Sequence, residues 1–230
     1  MANKARTQAG TQTTKTKEVS PLDKLQLFYE NKKKPINTAT TVIVLIAVVA
    51  FAYIKLYKGP REEKGATALS YAQRYFGVDS LNMALNGDGQ HLGFLKIESK
   101  YSGTKASNLC HYYAGLCYLH GGDYNNAIKQ LKDFDGKGTM LQYAAWGALG
   151  DAYMENNNTA KGIESYEKAT GDKDDVILTP IYLMRAGMAY EMNNQADNAK
   201  KAYKRVRDEY PQSMEARDVE KYLARLGDLD

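Results

Sequence analysis

The sequence predicts an all-α fold: a single N-terminal transmembrane helix, then a solenoid of helical hairpins that ends in a C-terminal capping helix. Three observations support this fold class. Residues 35–54 contain no charged side chain, a spacing centred on Gly150 recurs along the body, and residues 212–230 place apolar side chains at helical spacing. After the apolar run, only residues 175–180 form a β-branched cluster, so strands are not expected.

Charge divides the chain into two parts. Residues 1–59 carry ten basic and three acidic side chains, a net charge of +7, whereas the remainder carries 21 basic and 24 acidic side chains, a net charge of −3. The basic isoelectric point therefore belongs to the N-terminal part. Because the body lacks the basic surface that nucleic acid requires, no nucleic-acid partner is expected.

Residues 1–34 are interpreted as a cytoplasmic tail. Residues 1–20 are rich in Thr, Lys and Gln and have almost nothing to bury, so we expect them to be disordered. A short amphipathic helix is expected at about 21–34, since a serine, a proline and an acidic residue at its start are typical of a helix N-terminus. Its apolar face would hold Leu22, Leu25, Phe28 and Tyr29. This helix either lies on the inner leaflet or docks on another membrane protein.

Residues 35–57 form the predicted transmembrane helix. The run from Pro35 to Ile54 has 20 uncharged residues, and a helix of that length spans roughly 30 Å, the thickness of a bilayer's hydrocarbon core. We interpret it as an uncleaved anchor. A signal peptide is the alternative, because Ala50-Phe51-Ala52 resembles a cleavage site, although the segment 1–34 before the run is long for a signal peptide. The far end carries the interfacial residues Tyr53, Lys55, Tyr57 and Lys58.

The orientation of the anchor is predicted from the lysine triplet Lys32–Lys34. Six basic side chains lie in the range 15–34 before the run and five in the range 55–74 after it, so the local bias is small. A lysine triplet on a short tail is nevertheless hard to translocate, whereas long domains cross largely regardless of charge. We expect the N-terminus in the cytoplasm and the C-terminal domain outside it.

A spacing around Gly150 defines the repeating unit of the body. The pattern W-x2-L-G-x2-Y covers residues 146–153, and equivalent glycines lie upstream at Gly115 and downstream at Gly187. Each glycine is followed by a tyrosine at the third position after it, and a small residue begins the contact of each second helix. This period is that of tetratricopeptide repeats. The predicted packing residues are Gly115, Tyr118, Ala127, Trp146, Leu149, Gly150, Tyr153, Gly162, Gly187, Tyr190, Ala199 and Pro211.

The physical basis of this pattern is close helix packing. Two antiparallel helices approach closely only where one presents Gly or Ala, and one hairpin cannot bury its own apolar face, so hairpins must stack and be capped. We predict three hairpins in residues 105–211 and a capping helix in residues 212–230. Residues 58–104 are expected to hold a stalk helix that continues from the span, and a degenerate hairpin with Gly93 and Ile97 in its second helix.

The first helices of such hairpins line a concave wall, which is the predicted binding site for a protein partner. Met184, Met188 and Met192 recur at every fourth position and offer adaptable, polarizable side chains. Two interpretations stay open: an exposed methionine wall for varied apolar segments, or a stripe covered by the cap or a neighbouring helix. The expected wall residues are Tyr112, Leu116, Leu119, Asp151, Met154, Glu155, Met184, Met188, Glu191 and Met192.

Patterns for catalysis, cofactor binding and metal binding are absent from the sequence. It has no glycine-rich phosphate loop, H-E-x-x-H, C-x-x-C or nucleophile elbow. One group of side chains contains residue types that bind metals, namely Cys110, His111, Cys117 and His120. Adjacent residues point about 100° apart on a helix, so these four side chains cannot converge. We expect no enzyme activity, no cofactor and no metal.

The order of a cytoplasmic tail, one span, a stalk helix and tetratricopeptide-like hairpins resembles that of the YfgM-type ancillary subunits of the bacterial SecYEG translocon. The segments LQLFYENKKKP (25–35), ALSYAQRYF (68–76) and residues 92–131 are similar to that family's pattern. The resemblance implies an inner-membrane protein with a periplasmic domain that associates with the Sec translocon and a membrane-anchored prolyl-isomerase-like chaperone. It also implies client polypeptides, namely emerging proteins handed to periplasmic chaperones. The resemblance implies no individual functional residue.

The sequence therefore favours a non-enzymatic, membrane-anchored adaptor or chaperone. A structural scaffold that organises another cell-envelope complex is the alternative. A client-binding chaperone should expose an apolar groove, whereas a scaffold should expose a polar-rimmed patch shaped for one partner. An outer-membrane assembly lipoprotein is disfavoured, because both cysteines lie far past the span and cannot form a lipobox.

Overall fold

The computed structural model describes residues 20–228, so the expected disorder of the segment 1–19 lies outside the described range. The chain divides into two compact units, one ending at Ile54 and the other beginning at Lys55. Within the described range the regular elements are helices, with one isolated bridge between Gly87 and Leu92. The α-helices are α1 (Pro21–Ala52), α2 (Gly59–Gly77), α3 (Leu81–Asn86), α4 (Phe94–Lys100), α5 (Lys105–His120), α6 (Tyr124–Asp133), α7 (Met140–Glu155), α8 (Thr159–Ala169), α9 (Leu178–Met192), α10 (Ala196–Glu209) and α11 (Ala216–Arg225); a π-helix covers Tyr53–Lys58.

The N-terminal unit is helix α1, which is broken at Lys32. This residue has φ −119° and ψ 16°, so two helical segments meet there. Pro35 explains the break, because its ring crowds the preceding turn and its nitrogen cannot donate a backbone hydrogen bond. The segment before the break corresponds to the expected amphipathic helix, and its side chains Leu22, Leu25 and Phe28 are exposed.

One helical stretch, Phe28–Gly77, contains a segment long and apolar enough to span a membrane by length and composition. Its most apolar 18-residue window has a mean hydropathy of 2.3. Thr38, Thr40 and Thr41 donate their hydroxyl hydrogens to backbone carbonyls of the preceding helical turn, at 2.8–3.0 Å. These hydroxyls are therefore satisfied inside the helix, as a lipid environment requires.

Helix α2, which covers the expected stalk, packs into the C-terminal unit. Leu69 and Ala72 are buried in a core that α2 shares with α4 and α5. The carboxylate of Glu62 accepts a hydrogen bond from the backbone N–H of Lys105 at 3.0 Å, and Arg61 donates to the carbonyl of Lys100 at 3.0 Å. Contacts between residues far apart in the sequence thus fix the expected stalk helix to the body.

The expected degenerate hairpin is also much shorter than a repeat. Helix α3 has six residues and α4 has seven, and Phe94 and Ile97 of α4 are fully buried. Helices α2, α3 and α4 together cover the face of α5 that α6 leaves open. They serve as an N-terminal cap for the hairpins that follow.

The three hairpins α5–α6, α7–α8 and α9–α10 turn in the same way. The equivalent residues Gly122, Asn157 and Asn194 adopt left-handed backbone conformations with φ of 77°, 56° and 57°, which Gly and Asn tolerate best. The next residue donates its backbone N–H to the carbonyl of the repeat tyrosine, at 2.8–2.9 Å in all three hairpins.

Glycines set the distance between the two helices of each hairpin. A Cβ added to Gly115 would lie 2.6 Å from Cγ of Leu131, and one added to Gly150 would lie 2.5 Å from the Tyr166 ring. A Cβ added to Gly187 would overlap the Tyr203 ring in the same way. The sequence separation between glycine and partner is identical in each case, so one packing rule serves all three hairpins. The predicted small residues of the second helices, Ala127, Gly162 and Ala199, are buried.

The chain after Pro211 forms the capping helix α11, at Ala216–Arg225 within the expected residues 212–230. Val219 and Leu223 are fully buried against Tyr203 and Val206 of α10. Pro211 itself is exposed and lies just after the end of α10, so it terminates a helix instead of packing between helices.

Candidate protein-binding site

The predicted wall begins on α5 with three half-buried apolar side chains. Tyr112, Leu116 and Leu119 pack against a core of residues from α6 and α7. The Tyr112 ring lies 5.5 Å from the Phe134 ring, measured between centroids. These three side chains therefore pack partly inside the protein, and only their exposed parts can contact a partner.

The three methionines of α9 do not form one exposed stripe. Met184 is 7% exposed and packs in a core with Leu183 and Tyr203, whereas Met188 is 36% exposed and Met192 is 69% exposed. A spacing of four positions turns about 40° past a full helical turn at each step, so the methionines rotate from core to solvent. At Met184 the structure agrees with the interpretation of a stripe covered by the cap, so Met184 is not part of an exposed wall. Of the three methionines, only Met188 and Met192 have free surface.

Met154 of α7 is likewise engaged inside its own hairpin. Its side chain lies directly against Gly162 of α8, where an added Cβ would be 2.5 Å from Sδ. Beside it, Glu155 is exposed. The exposed part of the wall is therefore limited to Glu155, Met188 and Met192 with the edges of the α5 side chains.

The wall carboxylate Asp151 connects neighbouring hairpins. It accepts a hydrogen bond from the Tyr166 hydroxyl at 2.7 Å and pairs with Arg185 on α9. Burial is the main reason that the pKa of the Tyr166 phenol is raised, with the adjacent Asp151 adding to it. The carboxylate is thus occupied by a tyrosine and an arginine of the same chain.

Glu191 repeats this arrangement in the next hairpin. It accepts from the Tyr203 hydroxyl at 2.5 Å and from Arg225 of α11 at 2.7 Å. Both arginines also lie over a tyrosine ring of the preceding helical turn, Arg185 over Tyr182 at 5.7 Å and Arg225 over Tyr222 at 4.8 Å.

A repeated sequence underlies this similarity, and the spacing of the glycines did not reveal it. Tyr-Leu-x-Arg-x-Gly occurs at residues 182–187 in α9 and again at 222–227 in and after α11. The capping helix α11 therefore shares a sequence motif with α9, the first helix of the third hairpin. It ends before Gly227, which takes a φ of 74°. Aligning the chain with itself so that Tyr182 meets Tyr222 would have found it.

Gly147 is a second packing position that the sequence pattern did not single out. A Cβ added there would overlap the Tyr182 ring. The glycine lets α9 approach α7 closely, and Tyr182 stacks near Tyr166 with centroids 6.5 Å apart.

Trp146 of α7 stands between two cavities. One, of about 330 Å³, lies among α6, α7 and α8; its floor includes Leu149 and Tyr153. The other, of about 390 Å³, is lined by Tyr143 and the loop before α7. Trp146 is half-buried, and its ring lies 5.6 Å from that of Tyr143. Its ring packs against the core cluster that contains Ile163 and Tyr166, and it also separates the two cavities.

The Cys and His residues that were weighed as metal ligands point to different neighbours. The Nδ1 atom of His111 lies 2.8 Å from Oε1 of Gln130, and the His120 ring stacks on Phe76 at 6.3 Å. Cys110 and Cys117 are buried free thiols, and burial raises the pKa of each to about 12. Among residues 20–228, no group of three or more His, Cys, Asp or Glu side chains is placed to hold a metal ion.

Comparison with known families identifies the hairpins. Tetratricopeptide repeat families match residues 110–135, 143–171 and 182–213, which correspond to α5–α6, α7–α8 and α9–α10. The prediction of three tetratricopeptide repeats is confirmed. A search of curated proteins gives no match. Tetratricopeptide repeats typically form non-catalytic modules for protein–protein interaction, so the body is a protein-interaction adaptor.

Proposed function

We propose that this protein is a membrane-anchored adaptor or chaperone of the bacterial inner membrane that works beside the Sec channel. In this proposal the N-terminus is cytoplasmic and the repeat body is periplasmic. The body receives secreted or outer-membrane polypeptides and hands them to periplasmic chaperones. The observation that carries the proposal is the coexistence of an apolar helix long enough to span a membrane with three protein-interaction repeats in one chain.

The exposed end of the wall supports a client-binding role. Met188 and Met192 present flexible, polarizable side chains, and Glu155 adds an exposed carboxylate to the wall. Methionine-rich surfaces re-pack around varied apolar segments. Contacts of this kind are weak. Attachment to the membrane raises the effective concentration of the body near a channel exit, so weak contacts suffice.

The N-terminal unit supports a separate role in reaching the membrane partner. The exposed apolar side chains Leu22, Leu25 and Phe28 lie on the segment before the break at Lys32. We propose that this segment and the span bind the Sec translocon and a membrane-anchored prolyl-isomerase-like chaperone, while the repeats contact clients.

Replacing two methionines tests this division of labour. Met188→Ser with Met192→Ser should reduce crosslinking of the full-length protein to a translocating client, with its membrane partners still co-purifying. Met214→Ser is the matched control, because Met214 is 74% exposed on the loop between α10 and α11. Unchanged client crosslinking in the double variant would overturn the assignment of the client site to the wall.

A structural scaffold for another envelope complex is the second candidate. It is favoured by the cavity beside Trp146, which has lysines at its rim and so has the polar border expected of a dedicated partner site. A scaffold would retain one stoichiometric partner through a wash that removes clients. The client-crosslinking experiment above separates the two candidates.

A further inference from the structure

The cavity among α6, α7 and α8 faces away from the first-helix wall. Its α7 residues Trp146, Leu149 and Tyr153 share one face of that helix. The wall residues Asp151 and Glu155 lie about half a turn around the helix from them, at roughly 100° per residue. A ligand in this cavity, here called the Trp146 cleft, would therefore leave the wall free.

The floor of the Trp146 cleft is apolar and aromatic. Trp146, Leu149 and Tyr153 are half-buried, and Leu131 and Phe134 close the base as buried side chains. A volume of about 330 Å³ is at the small end of the roughly 300–1,000 Å³ range for ligand pockets. It fits one or two side chains of a peptide better than a whole drug-sized molecule.

The rim of the cleft is basic. Lys132 lies on one side, and Lys161 and Lys168 lie on the other, with Glu164 as the single acidic side chain. Glu164 pairs with Lys168 at 2.7 Å. Lys132 and Lys161 form no ion pair with any residue in the range 20–228, and Lys161 lies 5.5 Å above the Tyr153 ring. Glu164 also attracts Lys161. Three lysines and one glutamate thus border the floor, and the excess of positive charge stands out in a body whose net charge is negative.

The next hairpin has an equivalent cavity in which Tyr190 stands at the position of Tyr153 but no tryptophan is present. Between α8, α9 and α10, Leu183 and Ala186 stand at the positions of Trp146 and Leu149, and the cavity is smaller, about 210 Å³. One of its cations, Arg205, is already held by Glu209 at 3.0 Å. The Trp146 cleft therefore differs from this cavity in its larger volume, in the tryptophan on its floor and in having three lysines at its rim.

We infer that the Trp146 cleft binds an acidic, extended segment of a partner protein. One aromatic or aliphatic side chain of that segment packs against Trp146 and Leu149, and its flanking carboxylates lie between Lys132 and Lys161. The charge of the rim selects an anionic partner, and the apolar and aromatic floor favours a peptide side chain over a lipid headgroup. This inference does not depend on the Sec proposal.

Binding of designed peptides to the full-length protein in zwitterionic nanodiscs tests the inference. The probes are labelled dodecapeptides that each contain four Glu and one Phe, and the position of the Phe varies across the set. A second set has Gln in place of each Glu. The Glu peptides should bind at least tenfold more tightly than the Gln peptides and weaken severalfold as NaCl rises, because salt screens exposed charges. Trp146 is the only tryptophan in the chain, so its emission should shift on binding and reports the location.

Charge-reversal variants separate the cleft from the general surface. Lys132→Glu with Lys161→Glu should weaken binding at least tenfold, while the matched pair Lys96→Glu with Lys221→Glu should change it less than twofold. Circular dichroism verifies that each variant is folded. Equal weakening by both pairs, equal binding of Glu and Gln peptides, or binding without a Trp146 emission change would overturn the inference. Binding to anionic vesicles that the Lys132/Lys161 pair abolishes, without peptide binding, would overturn it too and assign the cleft to lipid.

Discussion

At the scale of single residues, glycines decide how closely the helices of this body approach. Gly115, Gly150 and Gly187 each face a large side chain of the second helix, and the partner is a tyrosine ring in the second and third hairpins. Because protein interiors are close-packed, even one added methyl group at these positions must displace a side chain.

Replacing Gly150 with alanine should destabilise the protein. The new Cβ would lie 2.5 Å from the Tyr166 ring, and overpacking of this kind costs about 1–3 kcal/mol, more than the roughly 1 kcal/mol that alanine adds in helix propensity. Thermal unfolding followed by circular dichroism measures the difference. Gly77→Ala is the control, since nothing lies within 4 Å of an added Cβ there; an equal or higher melting temperature for Gly150→Ala would contradict the packing rule.

The buried thiols make a second prediction at this scale. Burial raises the pKa of Cys110 and of Cys117 from 9.0 to about 12, so the native protein should react with iodoacetamide at pH 8 far more slowly than the unfolded chain. A raised native pKa stabilises the fold fully below pH 9, and this contribution is lost as pH rises from 9 toward 12. Urea titrations across this range should show falling stability, which a Cys110→Ala, Cys117→Ala variant should show less steeply. Rapid labelling of the native thiols at pH 8 would contradict their burial.

At the scale of elements, tyrosine–carboxylate–arginine groups hold consecutive hairpins in register. Asp151 joins α7 to α8 and α9, and Glu191 joins α9 to α10 and α11. The same arrangement at the cap explains why α11 can close the stack as a short helix of ten residues.

A double-mutant cycle on Asp151→Ala and Arg185→Ala measures this link. The side chains are 29% and 43% exposed, so solvent screens the pair, and we expect a coupling of about 0.5–1.5 kcal/mol. The pair Glu164 and Lys168 lies within one helix and is more exposed, so its coupling should stay near about 0.3–0.5 kcal/mol. Equal coupling energies for the two pairs would mean that the ion pair between Asp151 and Arg185 does not stabilise the contact between hairpins.

Features that depend on residues close in sequence were predicted, whereas features that depend on residues far apart in sequence were not. The three hairpins were predictable from Gly115, Gly150 and Gly187, because close helix contact requires small residues at fixed local spacing. The docking of α2 was not, since the bond between Glu62 and Lys105 joins residues 43 positions apart. The different exposures of Met184, Met188 and Met192 were not predicted, because a recurrence at every fourth position was treated as one straight stripe that is either exposed or covered throughout. The lysines of the Trp146 cleft stand on two different helices and have no sequence signature.

At the scale of the whole molecule, the proposed membrane anchor would determine where the repeats can act. The proposal of a periplasmic body predicts that a reporter active only outside the cytoplasm is active when fused after Asp230. The mature protein should retain the residues before Pro35. N-terminal sequencing that finds a chain starting near Tyr53 would show a cleaved signal peptide and remove the anchor. A reporter that is active only when fused to the N-terminus would reverse the orientation.

Photo-crosslinking from Met192 examines whether the repeat body meets clients at the membrane. A photoreactive residue is placed at Met192 in the full-length protein, in cells that carry a stalled secretory chain, with a second at Met214 as an exposed position off the wall. The account predicts that Met192 is crosslinked to the stalled chain well above the Met214 level, and that this signal disappears when the stalled chain is released. Crosslinks from Met192 at or below the Met214 level would contradict client binding by the wall.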